Sequence, residues 1–136
     1  MGFSGTIQDR EELRELYARY CLAIDNGRYD EWIDCFTDDG VFESPRFGRC
    51  AGRDGLREFC ERHKESLGGA RVLHIVTNLS FEIDGDTASG TCYLLYHHCK
   101  EGRMQQEAVG HYTDRLRKTP AGWRFQSRQV AICGHN

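Results

Sequence analysis

The chain begins with helical spacing and ends with alternation. Between Ile7 and Ile24 the apolar residues fall at Ile7, Leu13, Leu16, Tyr17, Tyr20, Cys21 and Ile24. Steps of three and four place them on one buried face of a helix. Thr6 is positioned to cap that helix, and Asp9, Glu11 and Glu12 occupy the first turns, where the macrodipole favours anions. Asn26-Gly27 ends it. A short second helix near Tyr29 to Phe36 turns Trp32, Ile33 and Phe36 inward, and Asp38-Asp39-Gly40 stops it. An extended piece from Val41 to Pro45 and a return through Gly48 and Gly52 lead to a third helix, near Asp54 to Leu67. That helix carries Leu56, Phe59, Cys60, His63 and Leu67, and Gly68-Gly69 closes it.

After Gly69 the period becomes two. Residues 71–83 alternate, with Leu73, Ile75, Leu79, Phe81 and Ile83 expected on one side. Asp84-Gly85-Asp86 is a hairpin signal. A second long strand covers 87–99, Glu101-Gly102 turns, and a third covers 104–117. Thr119-Pro120-Ala121-Gly122 then leads into a last strand, Trp123 to Ile132. Helices first and an antiparallel meander afterwards predict an α+β fold rather than a parallel α/β sheet. Long strands twist, and a strongly twisted sheet curls. Helices covering its concave side leave room for a ligand cavity. With 136 residues and neither linker nor repeat, residues 1–136 read as one domain.

Composition narrows the function classes. The 18 Lys and Arg against 21 Asp and Glu give a formal net charge of -3 with the signs mixed, and no basic run favours nucleic acid. No apolar run approaches a membrane span, and the first residues lack the apolar core of a secretion signal. A cytoplasmic location is the expectation. Seven cysteines, an odd count without a C-x-x-C pair, read as reduced and mostly buried small hydrophobes. The six histidines lack zinc-ligand spacing, so no metal is expected.

Two residues stand out for chemistry. Asp25 closes the first helix beside Ile24. Asp-Asn-Gly is also a common solvated turn, so the local sequence leaves Asp25 open between the two readings. His74 lies within Val72-Leu73-His74-Ile75-Val76, apolar on both parities, so its imidazole is not simply solvated. It is either a core histidine held by a carbonyl or hydroxyl, or a functional base. Asn78 shares the parity of His74 and is expected to share its cavity. A buried carboxylate and a buried imidazole are each expensive alone and tolerable together. A carboxylate accepting Nδ1–H leaves Nε2 as the acceptor and stabilises the imidazolium formed when Nε2 takes a proton. Without a serine or cysteine nucleophile motif, such a dyad suits C–H proton abstraction, elimination, isomerisation or activation of water. Tyr17, Tyr20, Tyr93, Tyr96 and Tyr112 are further candidates, each also explained by core packing with a satisfied hydroxyl. Arg128 either snorkels outward or meets a leaving group or oxyanion in the cavity. Cys92 and Cys99 have no basic neighbour in the local sequence that would make a reactive thiolate.

At these residues the chain resembles the SnoaL-like branch of the nuclear transport factor 2-like superfamily. The resemblance covers nearly the whole chain. It rests on Arg19-Tyr20-Cys21-Leu22-Ala23-Ile24-Asp25-Asn26-Gly27, on Phe36-Thr37-Asp38-Asp39-Gly40-Val41-Phe42 after Trp32, and on Gly52-Arg53-Asp54-Gly55-Leu56. It continues through His74-Ile75-Val76-Thr77-Asn78, Asp84-Gly85-Asp86-Thr87-Ala88, Gly110-His111-Tyr112-Thr113-Asp114 and Gly122-Trp123-Arg124-Phe125. The family implies a cone: a curved antiparallel sheet wrapped around N-terminal helices, enclosing a deep pocket, in a homo-oligomer (dimer or trimer). An Asp ending the first helix and a His before x-x-Thr-Asn resemble the subset containing scytalone dehydratase, hexachlorocyclohexane dehydrochlorinase and bile-acid 7α-dehydratase. That likeness implies a catalytic dyad at Asp25 and His74, with Tyr20 and Arg128 as further catalytic residues. Tyr17, Asn78, Cys92 and Tyr112 are then expected in the substrate pocket, with no cofactor. The chain departs from scytalone dehydratase near Cys92, Gly110 and Tyr112. The expected activity is a dehydratase-type lyase or isomerase acting on a small, largely apolar molecule of polyketide, steroid or aromatic type. The alternative is a non-catalytic small-ligand-binding or assembly module of the same fold.

Overall fold

A computed structural model describes residues 2–134; His135 lies outside the described residues. Helix α1 spans Ile7–Asp25, with the Thr6 hydroxyl accepting from the Asp9 amide at 3.0 Å. Leu13, Leu16, Tyr17, Tyr20, Cys21 and Ile24 form its buried face as the spacing predicts. Ile7 does not join them; it is 83% exposed in the first turn. Asp9 does more than face the helix dipole. It is buried, and its Oδ1 accepts from Trp123 Nε1 and Lys118 Nζ, each at 3.0 Å, tying the start of the helix to the end of the sheet.

Helix α2 is shorter than its apolar spacing suggested, Tyr29–Ile33. Phe36 belongs instead to strand β1, Phe36–Ser44, and Asp38-Asp39-Gly40 lies within that strand rather than ending a helix. The reason is tertiary. Phe36 pairs in parallel with Phe125, and the strand is irregular before it rejoins at Val41 opposite Ser127. A side chain at Gly40 would collide with Phe36 Cβ and the Thr37 carbonyl, so this bend requires glycine. Strand β2 covers Gly48–Ala51 and helix α3 covers Gly52–Leu67, starting two residues before the expected Asp54.

The four long strands follow as β3 Arg71–Asp84, β4 Thr87–Lys100, β5 Arg103–Thr119 and β6 Gly122–Ile132. The six strands form one curved, unclosed sheet in the order β2-β1-β6-β5-β4-β3. All neighbours are antiparallel except β1 and β6. The helices lie against one face of this sheet over a largely aromatic core. Trp32 stacks on Phe59 with ring centres 5.0 Å apart, and Tyr20 meets Trp32, Phe36 and Phe125. Such ring pairs add to the burial energy of each side chain.

Strand β3 does not keep a single parity. Thr77 pairs with Tyr93 and Ser80 with Thr91, so Asn78 and Leu79 stand opposite Cys92 alone, one residue more than a regular ladder, and Asn78 takes φ 57°. The bulge switches faces. Val72, His74 and Val76 precede it on the helix side, opposite His98, Tyr96 and Leu94. Leu79, Phe81 and Ile83 continue that side after it, packed in or against the core. Leu73 and Ile75, expected beside them, occupy the other face.

Candidate functional site

The site grows from the end of α1. Asn26 caps the helix, its side chain donating to the Leu22 carbonyl at 2.7 Å and accepting from Arg71 at 2.9 Å. Arg71 opens β3, so this contact holds the strand beside the last helical residue. Asp25 then accepts twice from His74. The His74 backbone N–H donates to Oδ2 at 2.9 Å, and Nδ1 lies 2.6 Å from Oδ1. Both side chains are largely buried, 5% and 12% exposed. A carboxylate only accepts, so the short contact places a proton on Nδ1, and in the neutral imidazole Nε2 is then the acceptor.

His74 faces a cavity of about 410 Å³ between α3 and the concave sheet. Its apolar wall includes Phe42, Phe47, Phe59, Leu94, Val130 and Ile132. Polar lining comes from His63, His74, Tyr96 and Tyr112, with exposed Arg46 and Glu107 at the mouth. The Tyr96 ring centre is 4.8 Å from that of His74, and burial raises the pKa of its hydroxyl. A larger hollow of about 860 Å³ lies under residues 2–4 but is lined by no buried titratable side chain.

Of the other candidates named from the sequence, Tyr96 and Tyr112 line this cavity. Asn78 is exposed, because the residue whose parity matched His74 is itself the bulge. Tyr20 is sealed within the aromatic core, where burial raises its pKa. Arg128 neither snorkels outward nor reaches the cavity. It is 1% exposed, and its guanidinium forms a two-point pair with Asp114 at 2.9 and 3.2 Å. The same group lies 3.6 Å from the Tyr112 ring centre, 4.3 Å from that of Tyr20, and 3.5 Å from the Cys92 thiol. Tyr17 donates its hydroxyl to Asp114 Oδ2, which also accepts from Arg128 Nη2. Burial pushes the Asp114 carboxyl up while Arg128 opposes it; burial likewise lifts the Cys92 thiol to about 11. Tyr17, Cys92, Asp114 and Arg128 are therefore one buried polar cluster behind the cavity wall.

Sequence reasoning did not single out Asp114 or His63 for the site. The signal for Asp114 was its place on the inward parity Gly110, Tyr112, Asp114, Leu116, with Arg128 directly opposite in register. His63 was on the buried face of α3, and its partner in space is His74, with ring centres 6.5 Å apart. Its pKa is lowered to about 4, by burial first and then by His74. Among the described residues, Cys21, Cys35, Cys50, Cys60 and Cys92 are buried, Cys99 is half-buried and Cys133 is exposed.

Comparison with known proteins gives a consistent answer. An uncharacterised protein of Mycobacterium tuberculosis is 32% identical over 130 residues, covering 93% of this chain and 87% of that one. A crystal structure of an NTF2-like protein with a cystatin-like fold, from Novosphingobium aromaticivorans, superposes with a TM-score of 0.85 at 28% identity, covering 96% of this chain and 85% of that chain. A Catenulispora acidiphila protein crystallised in complex with S-DNPA superposes with a TM-score of 0.78 at 25% identity, covering 90% and 92%. The family model described as SnoaL-like domain matches residues 5–129. With its helices and curved sheet around a cavity, this chain belongs to the SnoaL-like domain family.

Proposed function

We propose that the protein is a cofactor-independent lyase or isomerase of dehydratase type, with Asp25 and His74 as its general-base dyad. The observation that carries this reading is the 2.6 Å contact between His74 Nδ1 and Asp25 Oδ1 at the wall of a mostly apolar cavity of about 410 Å³. Nε2 of His74 removes a proton from a carbon beside an electron-withdrawing group. Asp25 holds the tautomer and stabilises the imidazolium that results. In a dehydration the C–H electron pair forms the new double bond, the C–O bond breaks, and the imidazolium proton leaves with the oxygen as water. The wall suits a compact ring compound of polyketide, steroid or aromatic type. The family and the relative crystallised with a small molecule support ligand binding. The same reading takes the protein as a cytoplasmic homo-oligomer, a dimer or trimer.

A second reading has its own observation. Asp25 also accepts the His74 backbone N–H at 2.9 Å, so it serves as a clamp between α1 and β3. A ligand-binding or assembly module would need no more than that. Trapping separates the two. His74→Ala protein expressed in its native host and analysed by mass spectrometry should retain a compound that wild type converts, to a product lighter by one water or to an isomer. Wild type and variant holding the same compound, with wild type leaving it unchanged, would favour the module.

A further inference from the structure

The second imidazole of the cavity has no role in the dyad. His63 is 4% exposed, and its Nε2 is buried without a hydrogen-bond partner. It comes from α3, on the opposite wall from His74, and its ring lies almost parallel to Phe59 at 5.8 Å. A buried polar nitrogen left unpaired is costly, and native structures rarely keep one without a use. Phe59 beside it offers nothing to bond, and the His63 side chain lines the open cavity, so a small turn of the ring presents Nε2 to that space.

We propose that His63 Nε2 hydrogen-bonds an oxygen of the bound ligand, a hydroxyl or a carbonyl, and so selects oxygenated ring compounds over hydrocarbons of the same shape. The two ring centres are 6.5 Å apart, so one small ring compound can meet both imidazoles. For the dyad chemistry, on which this extension rests, His63 holds the carbonyl that becomes an enolate or the hydroxyl that leaves. Its imidazole remains neutral at neutral pH, so it polarises that oxygen by a hydrogen bond and is not the proton source.

The binding part can be tested without knowing the substrate. The probes are 2-naphthol and 2-methylnaphthalene, which differ by a hydroxyl in place of a methyl group. Wild type should bind 2-naphthol about tenfold more tightly, the scale expected when a buried group gains its missing partner. His63→Phe should erase that preference, and His63→Gln should keep part of it. His74→Ala should keep the preference even while abolishing turnover, which separates failure of this inference from failure of the dyad. On the unaltered protein, two-dimensional NMR should show the His63 Nε2 resonance shifting as 2-naphthol is added. An unmoved Nε2 signal, an undiminished preference in His63→Phe, or no binding of 2-naphthol at millimolar concentration overturns the proposal.

Discussion

At the scale of single residues, the two histidines of the cavity differ in what their surroundings ask of them. His74 has a carboxylate partner; His63 has only apolar walls and an open space. For His63 the consequence is a pH dependence of stability. Its folded pKa of about 4 lies below the value near 6.5 of an unfolded histidine. Between those values the unfolded chain binds a proton that the folded chain does not, so stability is full above pH 6.5 and falls as the pH drops towards 4. Besides burial, His74 and Arg46 oppose the charge on His63, and Asp25 favours it. Thermal melts from pH 7 to 4.5 should show a shallower loss in His63→Gln than in wild type; equal slopes would contradict the assigned direction. Asp25→Asn probes the other histidine. An amide NH2 turned to Nδ1 would reverse the tautomer and occupy Nε2 with a proton. Turnover should fall at least ~100-fold, while thermal unfolding reports a stability loss of about 1–3 kcal/mol from the two replaced hydrogen bonds.

At the scale of elements, the hydrophobic pattern reveals strands and helices but not the places where a strand changes face. Alternation in residues 71–83 correctly marks β3, yet the bulge at Asn78 separates Leu73 and Ile75 from Phe81 and Ile83. Local sequence gives little warning, because Thr77-Asn78 is as compatible with a regular strand as with a bulge. The end of α2 was misplaced for a similar reason: Phe36 has helical spacing from Trp32, and only its pairing with Phe125 makes it a strand residue. Asp25 and His74 were legible because one ends an amphipathic helix and the other interrupts an apolar run. Close backbone approaches give an element-scale prediction. A side chain at Gly110 would collide with the Ala131 carbonyl across the β5–β6 ladder. Backbone cannot swing aside as a side chain does, so Gly110→Ala should destabilise by about 1–3 kcal/mol or more in denaturant unfolding. An unchanged midpoint would mean that the two strands sit farther apart than described.

At the scale of the whole molecule, the polar groups divide into two clusters with different work. His74, His63 and Tyr96 border the cavity, with Asp25 behind His74. Arg128, Asp114, Tyr17 and Cys92 are sealed behind Tyr112 and hold β5, β6 and α1 together. A long strand residue near the closing tryptophan looked catalytic from its type and position; its pairing with Asp114 depends on a register that sequence alone leaves open. Removing one half of a buried pair strands the other charge. Arg128→Met should therefore cost about 3–5 kcal/mol, and adding Asp114→Leu should recover much of it. Additive losses in the double variant would show that the two side chains are not coupled.

In the proposed chemistry His74, oriented by Asp25, removes a proton from carbon. 5-Nitrobenzisoxazole reports that act alone: loss of its C–H proton to a base opens the N–O bond and releases a coloured nitrile phenolate. Wild type should accelerate the opening above the buffer rate, with His74→Ala and Asp25→Asn each at least ~100-fold slower while still folded by circular dichroism. Equal rates for folded His74→Ala and wild type would mean that His74 is not the base.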